Sequence, residues 1–188
     1  MIKKKIIFSK FYILLFILLL YTNNHYAAEL LIYADDLSYD QNENIIAKGK
    51  AKILKDNKIL SSEIIIYSKQ NNEIVLPVDF SLKDEKNNYY FGSSGFFKTN
   101  LENGNINDVK ILLNDGSRIV GRLFSRLSSS VNQITDAIYT PCIQNNYIVK
   151  NCPGWKLNAN KVIHDELKRT IYYENATLSI LNFPVLYT

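Results

Sequence analysis

The sequence predicts an all-β protein of antiparallel strands, and three observations predict it. From Ile45 to Ile53 the residues Ile45, Ala47, Gly49, Ala51 and Ile53 fall on one side of an extended strand and Lys48, Lys50 and Lys52 on the other, the period of two that a strand with one dry face needs. Clusters of turn-forming residues recur about every 8 to 14 positions from Asn42 to Gly116. Between those clusters no segment carries an apolar period of helical length.

Residues 1–28 are set apart from that fold. Lys3, Lys4, Lys5 and Lys10 precede an apolar run from Phe11 to Tyr21 and a short polar stretch that closes on Tyr26-Ala27-Ala28, the three regions of a secretory signal. The run is short for a membrane span, which needs roughly 20 apolar residues; left uncleaved, the segment would be an N-terminal anchor. The 188-residue chain has 22 Lys and Arg against 18 Asp and Glu, and the four lysines of the leader account for the excess. A neutral mature chain lacks the basic stripe of a nucleic-acid binder, so no nucleic-acid partner is expected.

The strands follow in order. Lys55-Asp56-Asn57-Lys58 makes a polar turn after the first alternating run, and Leu60, Ser62, Ile64 and Ile66 resume the alternation beyond it. Ile74 to Leu82 is a strand with Pro77 inside it, which removes a ladder donor and places that residue on an edge or at a bulge. Tyr89 to Phe97 is an aromatic strand interrupted by Gly92 and Gly95, with a turn at Asn103-Gly104. Val109, Ile111 and Leu113 lead to the hairpin signal Asp115-Gly116, and Ile119, Gly121 and Leu123 continue on the far side. The polar stretch from Leu127 to Asn132 is a loop or transition, and strand-like alternation returns from Trp155 to the end at Thr188.

Laid side by side, these strands bring Ile45, Ala47, Ala51, Ile53, Ile64, Ile66, Ile111 and Leu123 to one continuous apolar face. Such a face is either packed against a second sheet about 10 Å away or left partly splayed to receive an acyl chain, each buried methylene contributing about 0.8 kcal/mol. Sites for catalysis are wanting. The mature chain has a single histidine, His164, and two cysteines, too few for a structural zinc site, and there is no phosphate loop, serine elbow or oriented Cys-His pair. No catalytic residue, metal or cofactor is therefore expected. Cys142 and Cys152 are candidates for a disulfide closing a short loop, or else two separate thiols. Arg118, Arg122 and Arg126 repeat every fourth residue, so on a regular strand they share a face, solvated or turned to phosphate groups.

Two sets of residues then carry a family resemblance. Ala34-Asp35-Asp36-Leu37-Ser38-Tyr39, Ala47-Lys48-Gly49-Lys50-Ala51 and Leu60-Ser61-Ser62-Glu63-Ile64 with Tyr67 resemble the OstA-type repeat of periplasmic lipopolysaccharide-transport proteins. Tyr139-Thr140-Pro141-Cys142, Cys152-Pro153-Gly154-Trp155 with Lys156 to Ala159, Tyr172-Tyr173-Glu174-Asn175-Ala176 and Phe183-Pro184-Val185-Leu186-Tyr187 resemble the junction between periplasmic domain and barrel in the LptD family of LPS-assembly proteins, also called organic solvent tolerance proteins.

That resemblance implies an antiparallel folded-over β-jellyroll over residues 29–130 and a junction segment over residues 131–188, behind the signal peptide. It also implies a non-enzymatic, lipid-conducting groove in the periplasm at the outer membrane, with lipopolysaccharide as cargo. An open edge strand would pair with a periplasmic bridge protein by β-augmentation. The family's groove feeds an outer-membrane barrel occupied by a lipoprotein, and this chain ends where such a barrel would begin, as a fragment, a split-gene product with a separate barrel, or a stand-alone groove protein. Family disulfides join periplasmic to barrel cysteines, which leaves the pairing of Cys142 and Cys152 open. The competing expectation is a structural adaptor that joins β modules edge to edge without holding lipid.

Overall fold

A computed structural model describes residues 30–128, 130–141 and 154–188. The leader, Cys142 and Cys152 lie outside the described residues, and with them the signal and disulfide expectations. The strands are β1 (Leu31–Tyr33), β2 (Asp36–Tyr39), β3 (Ile45–Lys55), β4 (Lys58–Ser68), β5 (Glu73–Leu76), β6 (Phe80–Lys83), β7 (Tyr89–Gly92), β8 (Ser94–Lys98), β9 (Gly104–Leu112), β10 (Arg118–Arg126), β11 (Val131–Thr140), β12 (Trp155–Asp165), β13 (Thr170–Ile180) and β14 (Phe183–Tyr187). All of their pairings are antiparallel and join them in one sheet, β1-β3-β4-β5-β8-β9-β10-β11-β12-β13-β14, with β2 on β3 and a second bridge, β6-β7, also linking β4 to β9. β10 and β11 pair along their length, from Arg118 with Thr140 to Arg126 with Asn132.

Local sequence chemistry explains the turns. Asp56 and Asn57 both have positive φ, 49° and 61°, the pair that a two-residue type I′ hairpin requires. Gly116, at φ 86°, turns the chain between β9 and β10 where Asp115-Gly116 predicts a hairpin. Two five-residue turns repeat one device. Asp40 Oδ1 accepts from the amides of Asn42 and Asn44, and its Oδ2 from Asn44 Nδ2; Asp84 does the same for Lys86, Asn88 and Asn88 Nδ2. An Asx carboxylate replacing backbone partners fixes each turn.

One crease crosses the whole sheet. In a regular strand inward residues are spaced by two, yet here buried or cavity-facing neighbours are spaced by three at the same row of strand after strand: Ser62 and Ile65 in β4, Ile106 and Val109 in β9, Ile134 and Ala137 in β11, Ala159 and Val162 in β12. The exposed residues between them, Glu63, Asp108, Asp136 and Asn160, mark the fold line, and Asp108, Asp136 and, in β13, Asn175 sit at φ near 50°. In β3 the line falls on a bulge at Gly49-Lys50.

The same line cuts two expected strands in half. The run from Ile74 to Leu82 divides after Leu76 into β5 and β6, because Pro77 has no N–H to continue the ladder. Tyr89 to Phe97 divides at Ser93 into β7 and β8. Each half then finds its own partner, so β4 and β9 are bridged once on either side of the crease. The result is a single sheet folded over on itself, the antiparallel jellyroll architecture expected.

The crease corrects three positions on the expected apolar face. Ile64 and Ile66 are only half-buried, and Ile65 between them is fully buried, because the alternation slips at Glu63. Leu123 is likewise displaced by the slip at Arg122, and Phe124 takes the buried place. Ala47, Ala51, Ile53 and Ile111 are buried as expected for that face, and Ile45 is half-buried beside Tyr67. The arginines do not share a face either: Arg122 points outward to Asp136, 2.6 Å away, and Arg126 lines the interior.

From β3 to β9 the two halves of the folded sheet meet in a filled core of Ile53, Leu60, Ile65, Ile74, Leu76, Ile106 and Val109. Phe80 from one half packs edge to face on Phe97 from the other, at 6.0 Å between centroids. Gly92 and Gly104 are required at this closure, since a Cβ on Gly92 would strike Ile106 and Phe80, and one on Gly104 the backbone of Phe96.

Candidate functional site

Beyond β9 the halves part and enclose a cavity of about 900 Å³, at the upper end of volumes that hold a small ligand. Ile111, Leu113 and Ile119 wall it on one side of the crease, Phe124, Ile134 and Val162 on the other, and Tyr139, Leu157, Ile171 and Tyr173 extend it toward β13.

Side-chain size explains why the sheet is filled at one end and hollow at the other. Val109 stands in register with Gly121, Ala137 with Ala159, and Ala159 with Ala176. Next to the crease, β10 to β13 carry Gly121, Ala137, Ala159 and Ala176; a Cβ on Gly121 would strike Ile134, so the space opens at Ala137 and Ala159, the two of the row that line the cavity. Of the eight groove candidates only Ile111 lines this cavity. Ala47, Ala51 and Ile53 belong to the filled core, and Ile45 lines a separate pocket of about 350 Å³ with Leu30, Ile32 and Tyr67.

The mouth of the cavity is polar. Turns on the two lips of the fold are tied by ion pairs: Lys58, 7% exposed at its side chain, reaches Glu85 at 2.9 Å on its own side and Glu102 at 3.4 Å on the opposite lip, and Lys86 reaches Glu166 across the opening at 3.6 Å. Tyr90 stands behind them, its ring tilted on Phe124 at 5.8 Å and its hydroxyl donating to Asp84 Oδ2 at 3.3 Å. Burial above all, and then the charge of Asp84, push the Tyr90 phenol up to about 12, with Arg126 pulling the other way. Burial disfavours the charge on Lys58, but Glu85 and Glu102 together outweigh it and raise its pKa above the ordinary 10.5.

Both shifts make one prediction. A neutral Tyr90 and a protonated Lys58 are favoured by the folded state, so their contributions are complete below about pH 10, where the unfolded groups begin to titrate, and are lost as pH rises toward 12. The urea midpoint should be level up to pH 10 and fall above it, and Tyr90→Phe, which keeps the ring on Phe124, should flatten part of that fall.

Among the described residues no group of three or more His, Cys, Asp or Glu could hold a metal ion. No family model matches the chain, and a search of curated proteins finds no match. Among solved structures, LptH from Pseudomonas aeruginosa, described as the LptA homologous periplasmic component of the lipopolysaccharide transport device, is similar with a TM-score of 0.30 and 8% identity, over 81% of this chain and 94% of that one. A likeness at that score says nothing about ligand or partner.

Proposed function

We propose that the chain is a non-enzymatic, lipid-conducting module of lipopolysaccharide transport and assembly, working in the periplasm at the outer membrane, with acyl chains lying between the two halves of the sheet at β10 to β13. The observation that carries this reading is the hollow end of the fold, apolar along its walls and polar at its mouth, the polarity an amphiphile needs. The OstA-type and junction-type motifs support the same cargo. In this proposal residues 1–28 direct export, residues 29–130 form the groove, and residues 131–188 add β11 to β14 to it. A Cys142 to Cys152 bond would close the segment between β11 and β12.

A second reading, an adaptor that joins β modules edge to edge, is favoured by β14. Among the described residues it pairs only with β13, and Phe183, Val185, Leu186 and Tyr187 on it are 74%, 54%, 60% and 69% exposed. Such an edge strand suits β-augmentation by a periplasmic bridge protein. Site-specific photo-crosslinking from Leu157, inside the cavity, separates the two: adducts with lipopolysaccharide support the groove, and adducts with protein alone would overturn it.

A further inference from the structure

Three neighbouring strands bring Arg126, Asn132 and His164 into one row. Arg126 of β10 is in register with Asn132 of β11, and Asn132 with His164 of β12. All three line the cavity, at the lip where β10 to β13 turn. The row has unused hydrogen-bonding capacity: Arg126 Nε and Asn132 Oδ1 are shut from solvent and have no partner.

The cavity is lined by four cations and four carboxylates, but on the Arg126 side the pairing is uneven. A single carboxylate, Glu166, is shared by Asn132 Nδ2 at 3.1 Å, Lys86 at 3.6 Å and Arg126 at a distant 3.9 Å. Asp84, on the facing lip, is already committed to Lys86 N, both nitrogens of Asn88 and the Tyr90 hydroxyl. Glu85 and Glu102 are both held by Lys58. Arg169 is a third cation at the cavity mouth, on the turn after β12. Two cations that divide one carboxylate, beside an exposed third, can take a further anionic oxygen, and a guanidinium suits a phosphate fork.

Resting on the groove reading above, we propose that the Arg126, Asn132 and His164 row is a head-group site for a phosphate-bearing amphiphile, whose acyl chain runs from this lip over Ile134 and Ala159. Arg126 donates to the phosphate on leaving its long contact to Glu166, Asn132 Oδ1 accepts from a protonated phosphate or sugar hydroxyl, and the chain fills the hollow end of the sheet. The ligand therefore lies with a fixed polarity, its head at the β10–β11 turn.

The test is calorimetric titration of the purified full chain, below micelle-forming concentrations, with dodecyl phosphate, dodecyl maltoside and inorganic phosphate. Dodecyl phosphate should bind about tenfold or more tightly than dodecyl maltoside, the worth of a charge-assisted contact, and inorganic phosphate alone far more weakly than either. Arg126→Gln should reduce dodecyl phosphate affinity about tenfold and leave dodecyl maltoside unchanged, and Arg126→Lys should restore much of the loss. Should Arg126→Gln not fold, the comparison of head groups on the unaltered chain decides alone. Equal affinity for the two detergents, or inorganic phosphate binding as tightly as dodecyl phosphate, would overturn the head-group site and leave the groove standing. Binding of neither detergent would overturn both.

Discussion

Replacing Ile65 with aspartate should leave the protein largely unfolded, and the same change one residue earlier, Ile64→Asp, should not. Ile65 is 0% exposed in the filled core opposite Ala47, so a carboxylate there is a charge buried without a partner, costing roughly 4 kcal/mol or more. That is most of the stability of a domain at the low end of the usual range, about 5 kcal/mol. Ile64 is half-buried on the other side of the strand, where a charge reaches solvent and the loss should be about 1 kcal/mol. Circular dichroism and urea midpoints measure the contrast. A reversed order of the two variants would mean that the slip at Glu63 does not exist.

Filling the hollow end should weaken lipid binding well over tenfold while the chain still folds. Ala137 and Ala159 are neighbours in register, and both line the cavity. Their replacement together by phenylalanine puts two rings where acyl carbons would lie. Excluding only a few methylenes at about 0.8 kcal/mol each lowers affinity well over tenfold. Thermal stability should fall by no more than the usual cost of overpacking, about 1–3 kcal/mol, because both alanines are buried but border the cavity, into which the rings can turn. Unchanged affinity for a dodecyl-chain ligand in the double variant would show that the chain binds elsewhere.

How far these positions could be read from the sequence depends on how local their cause is. The alternation of Ala47, Ala51 and Ile53 is written into consecutive residues, and their burial follows from it. Hairpins at Asp56-Asn57 and Asp115-Gly116 are equally local, since the side chains that favour positive φ are the ones present. Pro77 marks a strand break, though its sequence leaves edge, bulge and break unresolved. The crease is different. Beside Gly49, Pro77, Asp108, Asp136 and Asn175, it passes through Glu63 and Arg122, residues with no backbone speciality of their own, where it is enforced by neighbouring strands that bend at the same row. A period-two reading carried through such a row puts Ile64, Ile66 and Leu123 on the wrong face and aligns Arg122 with Arg126.

The cavity is still less local. Gly121, Ala137, Ala159 and Ala176 come from four strands and become one row only through the register. Its polar mouth combines Lys58, Lys86, Arg126 and Glu166 from turns and strand ends far apart in the chain. Single residues there look like ordinary surface charges. A signal was nevertheless present in the small residues that recur at corresponding places of successive strands, once those strands are set in order.

The most direct measurement uses two adjacent residues of β13. Tyr173 lines the cavity at its rim and is 45% exposed, and Tyr172, 53% exposed, does not line it. A photo-crosslinking amino acid placed at each in turn, in cells making lipopolysaccharide, should give lipopolysaccharide adducts from position 173 and none from position 172. Adducts of equal yield from both positions, or from neither, would contradict an acyl-chain groove between the two halves of the folded sheet.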